Sequence, residues 1–160
     1  PNVETCDGQL YQNPTGAAIV CEAVRQAIGE RPLILKIGHM TQASNAEELL
    51  VAAGPFATAI AMTNSVATKV RSQNGELLFA GQPRGICGEA TFDASLRQTS
   101  LFSELIRRRS DALHIISVGG VSTARHVQSC LKAGAESVHI ATAAMIDPNV
   151  ALRIRQSWQA

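Results

Sequence analysis

No apolar run in the sequence reaches about 18 residues, the length a helix needs to cross a bilayer, so no membrane span is expected. The opening stretch, PNVETCDGQLYQN, is polar and has no resemblance to a secretion signal. Cysteine is scarce and scattered. Cys6, Cys21, Cys87 and Cys130 form no CxxC pair and no Cys/His ligand spacing, so no metal site is expected. Cys21 and Cys130 fall on apolar helix faces, where a free thiol behaves as a small hydrophobe, and reduced cysteines fit a cytoplasmic protein. Charge is sparse as well: 17% of residues, with a formal net charge of +1. The nearest thing to a basic cluster, Arg107-Arg108-Arg109, closes a predicted helix, where cations complement the negative end of the helix dipole. Nucleic acid is therefore not an expected partner.

What the sequence does contain is apolar material in short, regular pieces. At 160 residues and 46% hydrophobic content, the chain is long enough for one domain with a sizeable core. PLILKIG (32–38), ATAIAMTN (57–64), ALHIISVGG (112–120) and SVHIATA (137–143) read as strands. Their continuous apolarity predicts parallel strands buried on both faces. Helical patterns lie around and between them. Val20, Val24 and Ile28 recur before Gly29; Ala46, Leu49, Leu50 and Ala53 before Gly54-Pro55. Leu101, Leu105 and Ile106 mark a third helix, and Val127, Cys130 and Leu131 a fourth before Gly134. A last helix is expected over 149–159, with Asn149 at its N-cap. The alternation predicts an α/β fold with four parallel strands and flanking helices. Residues 65–94 form one long connection holding QNGELLFAG and RGICGEA, and loops of that length are usually functional. Four strands cannot close an eight-stranded barrel, so they form either a small open sheet or half of something larger.

The chemistry concentrates in the run HIISVGGVSTARHVQSCLKAGAESVHIATAAM, 114–145. Two turns of small residues, GGVST and ATAAM, each follow the carboxyl end of a predicted strand. Glycine lets a backbone approach a ligand closely, and Ser122 or Thr123 can start a helix whose free N–H groups face an anion. Two such turns on neighbouring strands are the arrangement that binds phosphate after the last two strands of a (β/α)8 barrel. The backbone N–H groups of Gly119, Gly120, Ala141 and Thr142 are the expected donors.

Several segments in order resemble the dihydroorotate dehydrogenase family, including the related barrel of dihydropyrimidine dehydrogenase. Pro1-Asn2 resembles the end of the family's N-[LF]-S-C-P-N motif and LILKIG its V-K-[LIV] strand. TNS (63–65) resembles its N-[ST] turn, GICG (85–88) its G-x-x-G loop, and SVGGV with HIATA the pair that holds FMN phosphate. The resemblance implies the C-terminal half of a (β/α)8 TIM barrel as a single domain, with the N-terminal half absent from this chain. It implies FMN as cofactor, contacted by Lys36, Gly88, Gly119, Gly120, Ala141 and Thr142, with Lys36 at the flavin N1–C2 edge. Asn2, Asn64 and Ser65 are the implied contacts to a dihydropyrimidine substrate, oxidised by loss of a C5 proton and transfer of the C6 hydride to flavin.

The family's proton-accepting cysteine immediately precedes its PN, hence before Pro1, and Cys6 is not a replacement for it. Turnover by this chain alone is accordingly not expected. Two departures stand out: GICGEATFDAS lacks the family's lysine or proline after G-x-x-G, and KIGH replaces a proline-rich continuation. They keep open a non-catalytic barrel fragment that binds FMN, another phosphate ligand or a partner chain. Another FMN or sugar-phosphate barrel enzyme is also open. Unpaired edges of a half-barrel predict association with the missing half or with a second copy.

Overall fold

A computed structural model describes residues 10–158; Asn2 and Cys6 lie outside the described residues. The elements run α1 (Pro14–Ile28), β1 (Ile34–Lys36), α2 (Ala43–Ala53), β2 (Ala59–Met62), β3 (Val66–Lys69) and β4 (Pro83–Ile86). They continue with α3 (Phe92–Arg109), β5 (His114–Val118), α4 (Ala124–Lys132), β6 (Ser137–His139), α5 (Thr142–Ile146) and α6 (Val150–Trp158). The main sheet has four strands in the order β1-β2-β5-β6, every pair parallel. The long connection folds into an antiparallel hairpin, β3 with β4, inserted between β2 and α3.

The two faces of the sheet differ. Leu35, Ile60, Met62, Ile115 and Val138 point to the helices and join the main core. Ala59, Ala61, Ile116 and Val118 make a separate, small cluster on the other face. Burial on both faces holds for β2, whose four residues are all buried. It fails for the outer strands. Ile34 and Lys36 on β1, and Ser137 and His139 on β6, are exposed, because no element among the described residues covers the inner face there. Lys36 is therefore exposed, against the burial on both faces predicted for its strand.

Helix α3 carries most of the packing against the sheet. Phe102 and Leu105 are essentially fully buried, and each contributes about 1.5–3 kcal/mol by leaving water. A polar belt is buried with them. Thr63 Oγ1 donates to Gln98 Oε1 at 2.8 Å, and Gln98 Nε2 donates to the Gly38 carbonyl at 2.9 Å. Thr99 Oγ1 and Ser117 Oγ share a hydrogen at 2.9 Å. These bonds fix the carboxyl ends of β1 and β2 against one helix. Buried polar atoms need such partners, since each one left unpaired costs about 1–3 kcal/mol.

The amino ends of the strands are tied differently. Arg25, in the last turn of α1, donates Nη1 to the Gly29 and Arg31 carbonyls, both at 2.7 Å. Its Nε and Nη2 donate to the Phe56 carbonyl at 3.0 and 2.7 Å. One guanidinium thus joins the segments that enter β1 and β2.

Helix ends follow their local chemistry. Asn13 caps α1 by accepting from Gly16 N at 3.0 Å, with Pro14 in the first turn, and Gly29 closes it at φ +63°. All four apolar positions predicted for α2 are buried. The buried stripe of α1 is instead Ala17 and Cys21, small residues facing α2, while Val20 is exposed. Leu131 of α4 is exposed too, Cys130 being the buried residue there. Burial pushes the Cys21 and Cys130 thiols up from their ordinary pKa, as expected of inert core cysteines. Asn149 occupies the cap position of α6 through its carbonyl, which accepts from Arg153 N at 3.1 Å. The carboxylate organising that turn is Asp147, which accepts from Asn149 N at 3.0 Å and pairs with Arg153.

Candidate functional site

A cleft of about 230 Å³ opens at the carboxyl ends of the four parallel strands. Every strand contributes to it. Lys36 ends β1, Thr63 and Asn64 follow β2, Val118, Gly119 and Gly120 end β5, and His139, Ala141 and Thr142 end β6. The loop after β4 adds Cys87, Gly88 and Glu89. Parallel strands force this arrangement, since all their carboxyl ends and the loops that follow lie on one edge of the sheet.

At one end, Lys36 Nζ donates to Asn64 Oδ1 at 3.2 Å. Asn64 spends its carbonyl oxygen on the lysine, which leaves its amide N–H groups available to an acceptor. Cys87 Sγ contacts the Asn64 backbone carbonyl at 3.8 Å, holding the GICG loop against the same residue. The Gln98 bonds to Thr63 and Gly38 brace both strand ends from behind.

At the other end are the two small-residue turns. Gly119 and Gly120 adopt φ +121° and +72°. A Cβ on Gly119 would come within 2.2 Å of Ser95 Oγ, and one on Gly120 within 2.6 Å of Phe92 N. Their missing side chains are thus accounted for by the close approach of α3, and it is the backbone edge that faces the cleft. The N–H groups of Gly119, Gly120, Ala141 and Thr142 have no acceptor among the described residues. Four free donors from two neighbouring turns therefore border one cleft. Thr123 rather than Ser122 caps α4, accepting from His126 N at 3.1 Å, while Ser122 N donates to His126 Nδ1 at 3.4 Å. Phe92 stacks on His126 with ring centroids 4.0 Å apart, joining the start of α3 to the start of α4.

Of the residues singled out in the sequence, Lys36, Asn64, Gly88, Gly119, Gly120, Ala141 and Thr142 all line the cleft. Gly88 has φ +81°, and a Cβ there would meet Thr142 Cγ2 at 3.3 Å, so this loop closes directly over the second turn. Ser65 does not line the cleft; its side chain lies against Gly85 of β4. Residues the sequence reading missed are Cys87, Glu89 and His139, together with the bracing Gln98. His139 had a signal: Ser137 and His139 are the alternate polar positions of an otherwise apolar strand. No group of three or more potential metal-ligating side chains occurs among the described residues.

The family profile described as Dihydroorotate dehydrogenase matches residues 1–160, the whole chain. The chain belongs to the dihydroorotate dehydrogenase family. A dihydroorotate dehydrogenase of Dictyostelium discoideum is 30% identical over 159 residues, covering 96% of this chain and 43% of that protein. The catalytic subunit of dihydroorotate dehydrogenase B (NAD(+)) of Solidesulfovibrio magneticus is 28% identical over 158 residues, covering 98% of this chain and 49% of that one. The chain therefore spans about half the length of these relatives. Among solved structures, DHODH of Eimeria tenella in complex with ferulenol superposes with a TM-score of 0.64 at 21% identity, over 85% of this chain and 38% of that one. That likeness concerns the fold: the four parallel strands and their helices are consistent with part of a TIM barrel. No helix among the described residues is long and apolar enough to cross a membrane.

Proposed function

We propose that this chain is the carboxyl-terminal half of an FMN-dependent barrel that oxidises dihydroorotate, or a similar dihydropyrimidine, in the cytoplasm. The observation that carries this reading is the set of four free N–H groups at one end of a cleft that has Lys36 at its other end. The coverage of the relatives supports a preceding half of comparable size, which would pair with the outer edges of β1 and β6 and shield their exposed inner faces.

The residues present fit FMN. Backbone donors at two adjacent turns suit a phosphate, because N–H dipoles fixed in place bind an anion without reorganising. A cation across the cleft suits the ring edge on which negative charge accumulates during reduction. FMN, when bound, would supply the hydride acceptor. The chain's own residues would do the rest. Asn64 holds the Lys36 ammonium in one direction, which keeps positive charge at a fixed place. The Asn64 amide, freed from other duty, donates to a carbonyl of the planar substrate, with Asn2 as a further contact. Gly88 keeps the hairpin loop close over Thr142 and narrows the path for water. The group that accepts the C5 proton belongs to the preceding half.

The test is the absorbance spectrum of the complete protein, followed by anaerobic addition of dihydroorotate. A flavin spectrum that bleaches with dihydroorotate is expected. Protein that is colourless and does not take up added FMN overturns the reading.

A further inference from the structure

We propose that His139 is a ligand-holding residue at the phosphate end of the cleft, where its imidazole hydrogen-bonds the phosphate and makes the site discriminate FMN from riboflavin. The proposal rests on the FMN reading above and adds a residue to it. Strand alternation decides where His139 points. Val138 packs into the core beneath the helices, so its neighbours Ser137 and His139 face the other way, onto the inner face. Register decides its height. Lys36, Ala61, Ile116 and Ser137 are paired in one row across the sheet, and Val118 pairs with His139 one row nearer the carboxyl ends. His139 lines the cleft immediately below Ala141 and Thr142, whereas Ser137 does not reach it.

Position separates His139 from Lys36. Their strands are three places apart in the sheet order, roughly 14 Å at the usual strand spacing, so one phosphate cannot engage both. Lys36 is in any case tied to Asn64, at the far end. The imidazole has no hydrogen-bond or ion-pair partner among the described residues. Of the other ionisable side chains lining the cleft, Cys87 and Glu89 lie on the loop after β4, and Glu89 would repel a phosphate. Beside the four free N–H groups, the cleft side chains that can donate to an anion are thus the Ser122 and Thr142 hydroxyls and the His139 imidazole, the last reaching in from the strand itself. The backbone donors bind any small anion; a ring N–H aimed from the strand end adds direction.

The experiment is titration of the deflavinated complete protein with FMN and with riboflavin, following flavin fluorescence, for the wild type, His139→Ala and His139→Gln. His139→Ala is expected to weaken FMN about ten- to hundredfold, the usual range for a hydrogen bond to a charged group, and to leave riboflavin affinity within about threefold. His139→Gln keeps a neutral donor and should lose less for FMN, again with riboflavin unchanged; it also serves if the alanine variant does not fold. Equal losses for both flavins, or no loss for either, overturn the assignment of His139 while leaving FMN binding by the wild type intact. A wild type that binds neither flavin overturns the FMN reading and this inference together.

Discussion

Replacing Gly120 by alanine tests the packing behind the cleft separately from anything the cleft binds. Gly120 has φ +72°, and a Cβ would lie 2.6 Å from Phe92 N and 2.7 Å from Phe92 Cα. Two costs add. The left-handed conformation costs a residue with a side chain roughly 1–2 kcal/mol. The clash is with backbone at the start of α3, which cannot swing aside as a flexible side chain would, and forced overpacking costs about 1–3 kcal/mol. The sum, about 2–5 kcal/mol, is a large part of the 5–15 kcal/mol that usually separates folded from unfolded protein. Gly75 is the control: its φ is +83° and nothing lies within 4 Å of a Cβ there. Gly75→Ala therefore carries only the conformational cost. Urea unfolding of the complete protein should show Gly120→Ala less stable than Gly75→Ala by about 1–3 kcal/mol. Equal losses at the two sites would refute the close approach of α3. The same clash means that weaker FMN binding in a bulky Gly120 variant would not by itself report a lost phosphate contact.

Gln98→Leu leaves the Thr63 hydroxyl and the Gly38 carbonyl without their buried partner. Thermal unfolding should show a loss of roughly 2–4 kcal/mol, and an unchanged melting temperature would mean that these bonds do not brace the strand ends. Lys36→Ala removes an exposed side chain, so it should barely move the melting temperature yet lower turnover of the complete enzyme on the order of 10²-fold or more. A variant that keeps its activity but melts earlier would make Lys36 structural. The 160-residue chain purified alone presents the outer edges of β1 and β6, and Ile34 half exposed, to water. Sedimentation should find it associated or aggregated; a monomer that melts cooperatively at high temperature would argue for a self-sufficient four-stranded domain.

How far the sequence spoke depended on the range of the interaction. Helix α2 was fully legible because Ala46, Leu49, Leu50 and Ala53 form one stripe, and a stripe is a local pattern. The strands were legible in number and place, but not in burial. Apolar composition describes β2, which has neighbours on both sides and on both faces, and it misdescribes β1 and β6, where polar alternation was present in Lys36, Ser137 and His139. On α1 the four-residue recurrence of Val20, Val24 and Ile28 was real, yet the helix packs through Ala17 and Cys21, since small residues allow close approach. The β3–β4 hairpin lacks clear alternation, so it read only as part of one long connection. In the cleft, the glycine turns were visible as turns. Their cause was not: the contact of Gly120 with Phe92 links residues far apart in sequence. Gln98 with Thr63 is the same case, a pairing across 35 positions that no local pattern reports.

The Arg25 guanidinium has a consequence for how such a chain can change over generations. It gathers the carbonyls of Gly29, Arg31 and Phe56 under one planar group, a task that a lysine with its single ammonium cannot perform. All three carbonyls lie at the amino ends of β1 and β2, the side away from the cleft. The cleft is built at the opposite ends, by loops and a hairpin inserted between β2 and α3. None of the bonds Arg25 makes involves those loops. Change in the cleft loops that spares the packing behind them can therefore proceed without a new foundation for the sheet, a form of evolvability to which one side chain contributes.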